Sequence, residues 1–120
     1  MGMSAWCLFL DDLREPRDAY TDPRSALGEK DRWVVAKSTD EAKGLVLALG
    51  MPSVMSLDHD LGGEDTSMRF LSWLARDYWD TVSQIPTYLV HSANPVGAKN
   101  ICSFMDSWRK SVMEASPVNE

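Results

Sequence analysis

Basic charge, histidine, cysteine and long apolar runs are all scarce in this chain, and each shortage excludes something. Lys and Arg total 12 against 18 Asp and Glu, a net charge of -6. A protein that grips duplex nucleic acid over a broad basic face neutralises many phosphates, so broad duplex binding is not expected here. There are two cysteines, Cys7 and Cys102, in the apolar contexts AWCLFL and KNICSFM. Neither fits a zinc pattern, and both are expected as buried thiols of a reducing compartment. No apolar run approaches the ~20 residues of a membrane helix. The opening MGMSAWCLFLDD lacks a basic flank and ends in aspartates, unlike a signal peptide. The expected location is therefore the cytoplasm, without a membrane partner. The glycines of Gly62-Gly63 are too few for a phosphate-cradling loop signature. No Ser-His-Asp or Cys-His arrangement can be argued from spacing.

What is present is an alternation of short apolar runs and helical periodicities. The 120 residues suit one domain, with 115–120 expected as a frayed tail. Residues 6–10, WCLFL, read as a strand buried on both faces. The polar stretch 13–31 carries Pro16, Pro23 and Gly28 and reads as a long connection, with one helical turn expected near Pro16–Tyr20. Residues 33–37, WVVAK, read as a second strand. Ser38 and Glu41 form a capping box ahead of Ala42, Leu45, Val46 and Leu49, which predicts a helix over 39–49 stopped by Gly50. A third strand is expected at 53–57, SVMSL, then a helix from about Glu64 to Trp79. The fourth strand is TYLV after Pro86. A last helix begins near Pro95 or Val96 and carries the stripe Ile101, Phe104, Met105, Trp108 and Val112. Strands separated by helices imply an open parallel α/β sheet of about four strands with right-handed crossovers. Trp73, Trp79 and Trp108 are expected in the core.

In such sheets ligands bind beyond the carboxyl ends of the strands. The first strand ends in Asp11-Asp12, the third in Asp58-His59-Asp60 and the fourth in His91-Ser92-Ala93-Asn94. Each group has a plain structural reading. Asp11 and Asp12 are equally well helix caps or ligands, Asp60 suits the cap of the next helix, and Ser92 and Asn94 suit caps before Pro95. A lone histidine such as His91 is more often a satisfied, half-buried one. Convergence at one sheet edge favours function, because clustered carboxylates repel and need a cation or proton in compensation. An oxygen-rich set suits Mg²⁺ or Mn²⁺, and a metal held there can clamp a phosphoryl group. Arg14, Arg17 and Lys99 are the candidate phosphate-binding cations, each with a solvated surface role as the plainer reading.

The order acidic pair, strand-end Asp58 and Ser92-Ala93 resembles the receiver domain of response regulators. That resemblance implies a metal held by Asp12, Asp58 and the backbone carbonyl of Asp60, with Asp11 assisting. The fifth strand, its Lys and the fifth helix of a receiver have no counterpart in the pattern, and His59, Asp60, His91 and Asn94 are not ordinary receiver residues. The stretches LFLDDLREPRD, WVVAKSTDEAKGL, SLDHDLGG and VHSANPVGAKN more closely resemble the cyclic-phosphate processing receiver domains, over nearly the whole chain. This implies metal-dependent processing of a cyclic or terminal phosphate on a nucleotide or RNA end. Metal ligands would come from Asp11, Asp12, Asp58 and Asp60, and Asp58, His59, His91 and Ser92 would be catalytic. Asn94, Arg14 and Lys99 would contact substrate. In that scheme His59 or Asp60 activates water and His91 protonates the leaving oxygen, with Asp58 as nucleophile in a variant. Small chains of this family often look phage-borne. The competing expectation is a non-catalytic signalling module or a binder of a phosphorylated ligand or a protein partner.

Overall fold

The computed structural model describes residues 6–15, 33–79 and 84–115. Four parallel strands form one sheet in the order β2-β1-β3-β4: β1 is Cys7–Leu10, β2 Trp33–Ala36, β3 Val54–Leu57 and β4 Thr87–Val90. Helix α1 spans Thr39–Leu49, α2 Ser67–Trp73 and α3 Pro95–Ala115. A wide π turn, Leu74–Tyr78, continues α2. This is the receiver-like α/β architecture expected from the alternation of apolar runs. The helical turn expected near Pro16–Tyr20 and the tail after Ala115 lie outside the described residues.

Leu8, Phe9 and Leu10 are fully buried, as a strand covered on both faces requires. Side chains alternate across the sheet. Leu8 and Leu10 join Met55, Leu57, Val46, Phe70, Leu71, Leu74, Ile101 and Met105 in the core beneath the helices. Phe9 meets Trp33 edge-on at 5.9 Å between centroids. Trp108 is buried and stands edge-on to Trp79, while Trp73 and Trp79 are half-buried against the same core. Both cysteines are unbridged and half-buried rather than enclosed.

The register fixes where the strands stop. Leu10 lies opposite both Ala36 and Leu57, and Leu57 opposite Val90. The ladder runs one residue further on three strands. Asp11 N–H donates to Ala36 O (3.0 Å), Asp58 N–H to Leu10 O (2.9 Å) and His91 N–H to Leu57 O (3.0 Å). Asp11, Asp58 and His91 are thus held at one level along the carboxyl edge. The chain leaves β1 for one edge and β3 for the other, so the β1–β3 boundary is the point where strand order reverses.

Helix α1 begins at its capping box, with the return bond one residue before the cap: Ser38 Oγ accepts from Glu41 N–H (3.1 Å), and Glu41 Oε1 accepts from Lys37 N–H (2.8 Å). Helix α2 starts three residues later than Glu64. Residues 60–66 form a folded loop instead, with Leu61 N–H on Asp65 O (3.0 Å), Asp65 N–H on Gly62 O (3.0 Å) and an isolated bridge between Asp60 and Thr66. The reason is the Asp65 carboxylate, which accepts from Thr39 N–H (2.9 Å) and Thr39 Oγ1 (2.7 Å) at the first turn of α1. It caps a helix distant in sequence and joins the loop to α1. Helix α3 opens with Pro95 after the cap Asn94, whose Oδ1 accepts from Gly97 N–H at 3.1 Å.

Candidate metal and phosphate site

Asp11, Asp12 and Asp58 each bring a carboxylate oxygen to within 4.8 Å of the others. They border a cleft of about 540 Å³ at the reversal point, whose walls include Arg14, Asp60, Ser92 and Asn94. Asp12 is half-buried and faces Gly62, where an added Cβ would lie 3.3 Å from Asp12 Oδ2. Gly62 also has φ +94°, so both backbone conformation and space call for glycine there.

Asp11 is fully buried, and both of its oxygens are engaged. Oδ1 accepts from Leu13 N–H and Arg14 N–H, each at 2.8 Å. Oδ2 meets His91 Nε2 at 2.9 Å and Arg14 Nε at 3.2 Å. Burial raises the carboxyl pKa, but the Arg14 and Leu13 amides and His91 outweigh it and leave Asp11 below its usual value. Asp58 goes the other way. Burial and the neighbouring Asp11 charge push it up, against hydrogen bonds from His59 N–H (2.9 Å) and the Ser92 hydroxyl and the attraction of Arg14. Three clustered carboxylates with Arg14 as the cation on the cleft wall describe a site short of positive charge. The donors are oxygens alone, which fits a hard divalent cation, and these three residues could hold one.

The histidines are seated differently from the expectation that they face substrate. The His91 side chain is only 6% exposed. Its Nδ1 is 2.7 Å from Ser56 Oγ, its Nε2 reaches Asp11, and its ring stacks on Phe9 with centroids 4.5 Å apart. Burial lowers its pKa, opposed by Asp11. With Ser56 Oγ–H donating to Nδ1, the neutral ring donates Nε2–H to Asp11 and fixes that carboxylate. His59 lies against Gly97 of α3, with its Nδ1 3.0 Å from Asp60 Oδ1, and is not among the cleft walls. Asp60 does border the cleft, but its other oxygen accepts from Asn94 Nδ2 at 3.1 Å, and it stands outside the three-carboxylate group. Those bonds from His59 and Asn94 lower its pKa. Ser92 Oγ accepts from Asn94 N–H at 3.0 Å. Lys99 is exposed on α3 and is not among the cleft walls.

Arg14 lies on the cleft wall and is partly exposed. Besides Asp11, its Nη2 donates to His91 O at 2.9 Å and lies 3.8 Å from Asp58 Oδ1. Ser56 and Gly97 were not singled out by the sequence patterns. A serine within SVMSL carries only the faint signal of a polar group in an apolar strand.

The strand order, the reversal point and the acidic edge define a receiver-like α/β domain. The model of the cyclic-phosphate processing receiver domain matches residues 6–107, and the chain belongs to that family. No curated protein matches it. A solved structure described as a yeast Spc42 trimeric coiled-coil, amino acids 181–211, fused to another structure, is similar over 97% of this chain and 89% of its own, with 13% identity and a TM-score of 0.51. At that identity the likeness concerns the fold alone. Among the described residues, no helix is long and apolar enough to cross a membrane.

Proposed function

We propose that this chain is a cytoplasmic, divalent-metal-dependent phosphoesterase acting on a cyclic or terminal phosphate of a nucleotide or RNA end. The observation that carries the reading is the meeting of Asp11, Asp12 and Asp58 within 4.8 Å beside an open cleft, in a chain whose family is named for cyclic-phosphate processing. Bound Mg²⁺ or Mn²⁺ would neutralise the carboxylates and polarise the phosphoryl group.

The side chains divide the remaining work. Asp58, whose carboxylate borders the cleft, would take a proton from the attacking water. The new oxygen–phosphorus bond forms as the bond to the ribose oxygen breaks, and that oxygen is protonated from the open cleft. The Ser92 hydroxyl and the Asn94 amide orient phosphoryl oxygens, and the Arg14 guanidinium offsets their charge. His91 is a positioning residue acting through Asp11, since both of its ring nitrogens are engaged.

The test is formation of a phosphomonoester from a panel of 2′,3′-cyclic nucleotides, and release of inorganic phosphate from phosphorylated RNA ends, with Mg²⁺ or Mn²⁺, for wild type and Asp58→Ala. Metal-dependent turnover that disappears in Asp58→Ala, together with metal binding, supports the proposal. Nucleotide binding without turnover would instead make the domain a phospholigand-binding module.

A further inference from the structure

We propose that Arg14 is an internal counter-ion that competes with the metal and transfers to the phosphate once metal arrives, so that the two ligands bind cooperatively. The inference rests on the metal-site reading and adds an order of events to it.

The argument starts from the bonds on Asp11. Its Oδ1 is taken by the amides of Leu13 and Arg14 at 2.8 Å, which shape the turn after β1. Its Oδ2 is shared by a buried imidazole at 2.9 Å and by Arg14 Nε at 3.2 Å. A carboxylate offers about four lone-pair sites, so this one is fully used. Releasing the amides would undo the turn, and releasing His91 would leave a buried ring nitrogen without its partner. The guanidinium is the contact that can yield. The Arg14 side chain is 39% exposed, its approach to Asp58 is a loose 3.8 Å, and its Nη2 bond to His91 O (2.9 Å) is the further contact that the move exchanges for phosphate.

A cation among the three aspartates repels that guanidinium and claims the same oxygens. Arg14 borders the same cleft, so the displaced group remains within the pocket that would hold the phosphate. Its planar fork pairs with two phosphoryl oxygens in a way a lysine ammonium does not. Metal thus frees the fork for phosphate, and phosphate removes the competitor from the metal. Thermodynamic linkage makes the two effects equal.

Calorimetric titration with Mg²⁺, with and without inorganic phosphate, tests this on wild type, Arg14→Gln and Arg14→Lys. Arg14→Gln is expected to bind Mg²⁺ about tenfold more tightly than wild type without phosphate, and to lose about tenfold of the enhancement phosphate gives, within the usual range of coupling. Arg14→Lys keeps the charge without the fork, so its Mg²⁺ affinity should stay near wild type while the enhancement shrinks. Mg²⁺ affinity in Arg14→Gln equal to or weaker than wild type overturns the competition, and an undiminished phosphate enhancement in both variants overturns the transfer. Absence of Mg²⁺ binding in all three proteins overturns the metal reading and this inference together.

Discussion

Replacing Gly97 by alanine should destabilise the protein, although alanine is the better helix former. A Cβ built at Gly97 would lie 2.4 Å from His59 Cγ, and 2.7 Å from His59 Cβ and Nδ1. These are atoms near the base of the side chain, so rotating the ring does not clear them. The backbone of His59 is fixed at both ends: its N–H donates to Asp58 Oδ1 (2.9 Å) and its carbonyl accepts from Ser67 N–H (2.9 Å). Overpacking of this kind costs about 1–3 kcal/mol. The helix preference for alanine returns about 0.5–1 kcal/mol, and an approach of 2.4 Å puts the overpacking at the upper end of its range, so the net loss is about 2 kcal/mol. For a domain of this size that lowers Tm by about 8 °C. Gly44 on the exposed face of α1 is the control, because its added Cβ meets nothing within 4 Å. Gly44→Ala should therefore stabilise by about 0.5–1 kcal/mol. Urea denaturation of both variants, repeated in a His59→Gly background that removes the Cβ as well as the ring, isolates the clash as a coupling between positions 97 and 59. In that background Gly97→Ala should become stabilising. A Gly97→Ala midpoint at or above wild type would refute the close-approach argument.

Ser56→Ala removes the hydroxyl partner of a buried imidazole nitrogen; it should cost about 1–3 kcal/mol by urea denaturation. It should also weaken Mg²⁺ binding in calorimetry, because the ring that orients Asp11 loses its anchor. Asp65 is held below its ordinary 3.8 by its bonds to Thr39 and by Arg69, which outweigh burial. A depressed carboxylate contributes stability that is present above the unfolded value and lost as pH falls through the folded one. Melting followed from pH 6 down to acid should show a shallower decline below 3.8 for Asp65→Asn than for wild type, and Asp65→Asn should already be less stable at pH 6. Trp108→Ala, at a buried site that packs on Trp79 and Phe104, should cost about 3–5 kcal/mol in the same denaturation assay.

Much of this architecture is legible in the chain because its signals are local. WCLFL, SVMSL and TYLV are short, apolar and bounded, and each became a strand within one residue of its expected limits. Ser38 and Glu41 mark the start of α1 because a capping box is complete within four residues. The start of α2 was not legible, since what delays it is an Asp65 carboxylate committed to Thr39, 26 positions away. Arg14 read as either a phosphate contact or a solvated cation for the same reason: its partners Asp58 and His91 come from other strands. Histidine identity pointed to the correct edge of the sheet, but which way each ring faces depends on Ser56, Phe9 and Gly97. None of those three announces itself as a partner of histidine.

The strand order has a mechanical side. β1 and β3 are each clamped between two neighbours, so Asp11 and Asp58 hang from the stiffest part of the sheet. Among the described residues β4 pairs with β3 alone, and the segment bearing Ser92 and Asn94 follows it. The wall that carries Ser92 and Asn94 is instead tied to the acidic edge by side chains, Asn94 to Asp60 and Arg14 to the His91 carbonyl, so those contacts set its distance from the carboxylates.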